Sequence, residues 1–69
     1  MRTAKLPDGT PVELEATGLT RGGKRIVMVA RVFGRVRAER TVHVDDAGPS
    51  AVRAEAKRWA GEIRKEGIK

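Results

Sequence analysis

The stretch "RIVMVARVFGRVRAERTVHV" (Arg25–Val44) decides the fold. Ile26, Met28, Ala30 and Val32 occur at every second position, and beyond Gly34 the apolar residues Ala38, Val42 and Val44 keep the same parity. A period of two marks a strand with one face in a core. A glycine between two such runs predicts an antiparallel hairpin. Because facing residues in an antiparallel pair share one face of the sheet, parity chooses the register. A loop centred on Arg35 sets Ile26 against Val44, Met28 against Val42 and Val32 against Ala38 on the inner face. The same register sets Val27 against His43, Val29 against Thr41, Arg31 against Glu39 and Phe33 against Arg37 on the outer face. A slip by one residue would oppose Val32 and Arg37, mixing core with charge. One misfit is left: Arg40 points inward opposite Ala30, so it must snorkel past the sheet edge or sit at a bulge.

The flanking sequence extends this unit. Upstream, "TPVELEAT" (10–17) alternates Val12, Leu14 and Ala16 with Glu13, Glu15 and Thr17, which reads as another half-buried strand. Before it, "LPDGT" (6–10) is a turn: Pro7 presets φ, Asp8 can accept a bond from the backbone beyond it, and Gly9 tolerates a left-handed conformation. A short hairpin therefore begins the chain. "GLTRGG" (18–23) is a loop. After Val44 the period changes, and Val52, Ala56, Trp59, Ala60 and Ile63 fall on one helical stripe. Pro49 suits the first turn of this helix and Gly67 the position just past its end, while Arg64 and Lys65 complement the dipole in the last turn. The expected fold is α+β: one domain over residues 1–69, in which a three-stranded antiparallel sheet packs on one C-terminal helix of about five turns, with a fourth strand if the N-terminal residues pair. Trp59 should sit in the core against Leu14, Ile26, Met28 and Val42.

Composition narrows the function. The 69 residues include no cysteine and one histidine, so disulfides and thiolate metal sites are excluded and no metal or cofactor is expected. There is no nucleophile–base pair and no phosphate loop, so an enzyme with a small-molecule substrate is not expected. No apolar run approaches the roughly 18 residues that span a bilayer, and no signal-peptide core is present, so the expectation is a cytoplasmic protein without a membrane partner. The lack of Asn and Gln is compatible with a heat-adapted protein and equally with a GC-rich coding sequence.

The formal net charge is +6, and residues 21–40 carry all of it, with seven bases against the single acid Glu39. The rest of the chain balances eight bases with eight acids. One helix can cover only one face of the sheet, so the other face should be open. On the expected register it presents Arg25, Val27, Val29, Arg31 and Phe33 from one strand and Arg37, Glu39, Thr41 and His43 from the next. A small antiparallel sheet can lie in the major groove of B-DNA, with strand residues at base edges and flanking bases on phosphates. Double-stranded DNA is thus the expected partner. Arg21, Lys24 and Arg35 are the candidates for phosphate, and Arg25, Arg31 and Arg37 for base edges. Without Asn or Gln, any bidentate base reading falls to arginine on guanine.

The segments "GGKRIVMVARVFGRVRAERTVHV" (22–44) and "AEAKRWAGEIRKEG" (54–67) resemble small DNA-binding domains built from three strands and a C-terminal helix. These are the arm-type N-terminal domains of phage and transposon integrases and the plant domains that read GCC-box promoters. Arg25, Arg31, Gly34, Arg37, Thr41, Val42, Ala56 and Trp59 occupy matching places. Val27 stands where such families often place an aromatic. The resemblance implies a DNA-binding sheet, as in a phage or mobile-element protein, and no integrase activity.

An apolar strip on the same open face supports an alternative. Val27, Val29 and Phe33 suit contact with another protein surface, either a second copy of the chain or a partner with an acidic rim, as in a small regulator or inhibitor.

Overall fold

In the computed structural model, which describes residues 2–19 and 24–68, the chain first reverses where the turn residues require it. The Leu6 amide donates to the Thr10 carbonyl and the Gly9 amide to the Leu6 carbonyl, both at 2.9 Å. The Asp8 carboxylate accepts the Thr10 amide at 2.9 Å, and Gly9 takes φ 93°. That turn joins β1 (Arg2–Lys5) to β2 (Pro11–Leu19). Next come β3 (Arg25–Val32), β4 (Arg35–His43) and α1 (Pro49–Glu66).

The fold is α+β: four antiparallel strands in the order β1-β2-β3-β4 form one sheet, and a single C-terminal helix packs on it. The N-terminal residues do pair, Thr3 with Glu13 and Ala4 with Val12, so the sheet has four strands. Period-two patterning holds along β3, where Ile26, Met28, Ala30 and Val32 are buried and Val27, Val29 and Arg31 are half-buried.

The β3–β4 hairpin keeps the expected faces but not the expected partners. Ile26 faces Val42, Met28 faces Arg40, Val27 faces Thr41 and Val29 faces Glu39, a shift of two residues from a loop centred on Arg35. The cause is a tighter turn. Val32 pairs with Arg35, so the loop is Phe33–Gly34 alone, with φ 52° and 79°. Positive φ at both central residues is the geometry whose twist matches a two-residue hairpin. Phe33 hid this turn, because a bulky residue rarely adopts positive φ. A bulge restores parity: Ala30 pairs with Ala38 and Arg31 with Val36, which leaves Arg37 as the extra residue.

Helix α1 lies across β1 and β2 and approaches β3. Its buried residues are Ala56, Trp59 and Ile63, joined in the core to Val12, Leu14, Ile26 and Met28, with Val42 partly buried against them. Pro49 opens the helix. The Gly67 amide, at φ 78°, closes it on the Ile63 carbonyl at 2.8 Å. The segment from β4 to α1 crosses β2 at Gly18, where an added Cβ would lie 2.2 Å from the Ala47 carbonyl oxygen. Only glycine fits that crossing.

Arg40 resolves the misfit. It points to the helix side opposite Met28, not Ala30, and the bulge lies elsewhere, at Arg37. Its guanidinium carbon stands 5.1 Å from the centroid of the Trp59 ring, and a guanidinium nitrogen meets Glu62 at 2.7 Å. Arginine here caps the core with a cation on an aromatic face. No helix among the described residues is long and apolar enough to cross a membrane.

Candidate nucleic-acid interface

The six described bases of residues 24–40 do not reach one surface. Alternation sends Arg40 to the face opposite Arg25 and Arg31, and the tight turn with its bulge sets Arg35 on the helix side opposite Val32. Across the open face of β2, β3 and β4 the rows read Thr17–Val27–Thr41, Glu15–Val29–Glu39 and Glu13–Arg31–Val36, with Arg25 beside His43 at the far end. This face therefore presents Arg25 and Arg31 with three glutamates among them. It is not a basic sheet face. Arg31 bonds Glu15 on β2, whereas Glu39 lies opposite Val29, so the expected pairing of Arg31 with Glu39 is replaced.

The remaining candidates fall at two ends of the hairpin. Lys24 and Arg25 are exposed where β3 begins, while Arg21 lies outside the described residues. Eight strand residues separate that end from the other, about 26 Å at ~3.3 Å per residue. At the other end Phe33, Arg35, Val36 and Arg37 are all exposed. Arg35 belongs to β4, not to a loop, and shares a face with Val32. Phe33 is at the tip, 82% exposed, so it does not continue the strip of Val27 and Val29. Val36, 50% exposed, is the apolar residue beside Arg31 instead.

This end is electrostatically unmatched. Among the described residues the ion pairs are Arg31–Glu15, Arg40–Glu62 and Arg58–Glu55, and none engages Arg35 or Arg37. Two guanidiniums without an ion pair among the described residues thus lie within five residues of two exposed apolar side chains, Val36 between them and Phe33 just before them at the tip. Phe33 sits there at a conformational cost, since L-residues in the left-handed region lose roughly 1–2 kcal/mol. Asparagine before glycine would make the same turn without that strain.

Sequence reasoning missed a second basic region. Arg2, Lys57 and Arg64 border a groove between β1 and α1, with no acid in its lining. These residues are scattered in the chain, so no local run announces them. The available signal was the helical spacing of Lys57, Gly61 and Arg64.

Among the described residues no group of acidic, histidine or cysteine side chains is arranged to hold a metal ion. No protein-family model matches the chain, and no curated protein or solved structure matches it significantly.

Proposed function

We propose that this protein binds double-stranded DNA through the outer end of the β3–β4 hairpin. The observation that carries the reading is the cluster Phe33, Arg35, Val36 and Arg37, exposed together with neither arginine neutralised by a carboxylate among the described residues. An exposed aromatic at the tip beside two arginines is suited to a base step, with the Phe33 ring against the bases and the Arg35 and Arg37 guanidiniums on nearby phosphates. Lys24 and Arg25 lie at the opposite end of the hairpin and supply further phosphate contact. Arg31, held by Glu15, contributes least. The resemblance of residues 22–67 to small three-stranded DNA-binding domains agrees with this reading. Contact, however, moves from the sheet face to the hairpin end, because the glutamates repel phosphate.

The test is a titration of short GC-rich and AT-rich duplexes at several salt concentrations. Each phosphate contact contributes about 0.9 to the slope of log affinity on log salt, so Arg35→Ala with Arg37→Ala should lower it by about two. Phe33→Ala should weaken binding with little change in slope. Absence of salt-sensitive binding at micromolar protein would refute the reading.

The open face favours a second reading. Val27 and Val29 are half-buried between threonines and glutamates on a face that no element among the described residues covers. Its near-balanced charge fits a second copy of the chain better than an acidic partner. Light scattering that shows a dimer, dissociated by Val29→Glu, would support it, and a monomer at high concentration would exclude it.

A further inference from the structure

Helix α1 does not cover the outer edge of β1. That strand is the terminal one of the sheet, so its outward backbone groups have no strand partner among the described residues. Between this edge and the helix runs an open groove of about 870 Å³. Consecutive residues of β1 line it, which makes the strand backbone itself one wall. The helix supplies the other wall with Lys57, Ala60, Gly61 and Arg64. These stand at i, i+3, i+4 and i+7, one stripe in which small residues separate two cations about 10 Å apart. Ala4 and Leu6 give the groove an apolar floor, and Arg2 shares the helix side of β1 with Ala4.

Gly61 leaves the helix wall without a side chain midway along the groove. A glycine inside a helix costs about 1 kcal/mol relative to alanine. Packing does not require it, for a Cβ at Gly61 would meet nothing within 4 Å. The middle of the groove is therefore open enough for a close backbone approach to the helix.

We propose that this groove binds an extended acidic peptide of a partner protein, which adds to the sheet as a fifth strand beside β1. Backbone bonds to the strand edge supply affinity, and alternate side chains enter the groove. A carboxylate at each end meets Lys57 or Arg64, and an apolar side chain between them rests over Gly61 on the Ala4 and Leu6 floor. A nucleic acid strand fits less well, because the groove lining contains no aromatic on which a base could stack. Basic residues on an edge strand also discourage aggregation, but that role explains neither the helical cations nor the glycine.

The probe is the end-blocked peptide Glu-Thr-Leu-Thr-Glu, titrated into isotope-labelled full-length protein and followed by amide shifts. Its controls are Lys-Thr-Leu-Thr-Lys and a thymidine hexanucleotide. Saturable shifts at Thr3, Ala4 and residues 57–64 with the acidic peptide, absent with the basic one, are expected. Gly61→Leu should weaken that binding at least tenfold while leaving the melting temperature equal or higher, since it fills the groove without removing charge. The proposal is overturned if the acidic peptide produces no such shifts, if the basic peptide matches it, if the hexanucleotide alone saturates these amides, or if Gly61→Leu binds as tightly as the parent.

Discussion

On the helix side of the sheet Leu14, Ile26, Met28 and Ile63 are almost fully buried, whereas on the opposite face Val27 and Val29 are only half-buried among threonines and glutamates. The same alternating sequence produces both faces. One is closed by apolar packing under α1, and the other stays open and carries the Arg31–Glu15 pair among rows of opposed side chains. The difference shows that charge concentrated along a chain need not be concentrated in space. In β3 and β4 alternation and one bulge divide it, and what is left without an ion pair among the described residues is split between the turn, with Arg35 and Arg37, and the far end, with Lys24 and Arg25.

Met28 and Val29 test this contrast most strongly, since they are adjacent in sequence and opposite in environment. Met28→Ala should cost about 2–5 kcal/mol, as buried truncations do. Val29→Ala should cost less than about 1 kcal/mol, because its face is already wet. Denaturant midpoints with unchanged slopes would measure both. Similar losses at the two positions would mean that the open face is not open.

Arg40 is a charged residue on the covered side that packs against the core. Arg40→Ala removes the cation over Trp59 and the Glu62 pair, both partly exposed, so about 1 kcal/mol should be lost. The Trp59 emission should shift as its ring gains water.

Phe33 sharpens the comparison from the other direction. Phe33→Asn suits the positive φ of the turn and should stabilise the fold by about 0.5–1 kcal/mol. It should also weaken binding to DNA. A gain in stability with a loss in affinity separates a functional aromatic from a structural one.

The smallest effect belongs to the Leu6–Thr10 turn. Bonding from Thr10, chiefly its amide, holds the Asp8 carboxyl below its ordinary 3.8. A lowered value means that the bond's contribution is complete above the ordinary carboxylate range. It is lost as pH falls through the depressed value. The Thr10 amide shift followed against pH should show a midpoint below 3.8.

Much of the fold was legible because apolar parity depends on side-chain chemistry alone. Ile26, Met28, Val32, Trp59 and Ile63 lie where alternation and the helical stripe put them. The hairpin partners were not legible. They depend on the turn, and Phe33 at positive φ carries none of the usual turn signals. With the turn misplaced, Arg35 becomes the centre of the loop instead of the partner of Val32, Arg37 falls opposite Phe33 instead of at the bulge, Arg40 falls opposite Ala30, and Glu39 pairs with Arg31. The groove beside β1 was illegible for another reason, since residues 2, 57 and 64 meet only after the helix has docked.

Amide shift mapping of a short duplex on the isotope-labelled protein at low salt tests the central claim most directly. The account predicts shifts concentrated at residues 33–37, with smaller ones at Lys24 and Arg25, that fade together as salt is raised. Amides of Val27, Val29 and Thr41 should stay in place. Shifts centred on those three residues, with the hairpin end silent, would contradict it.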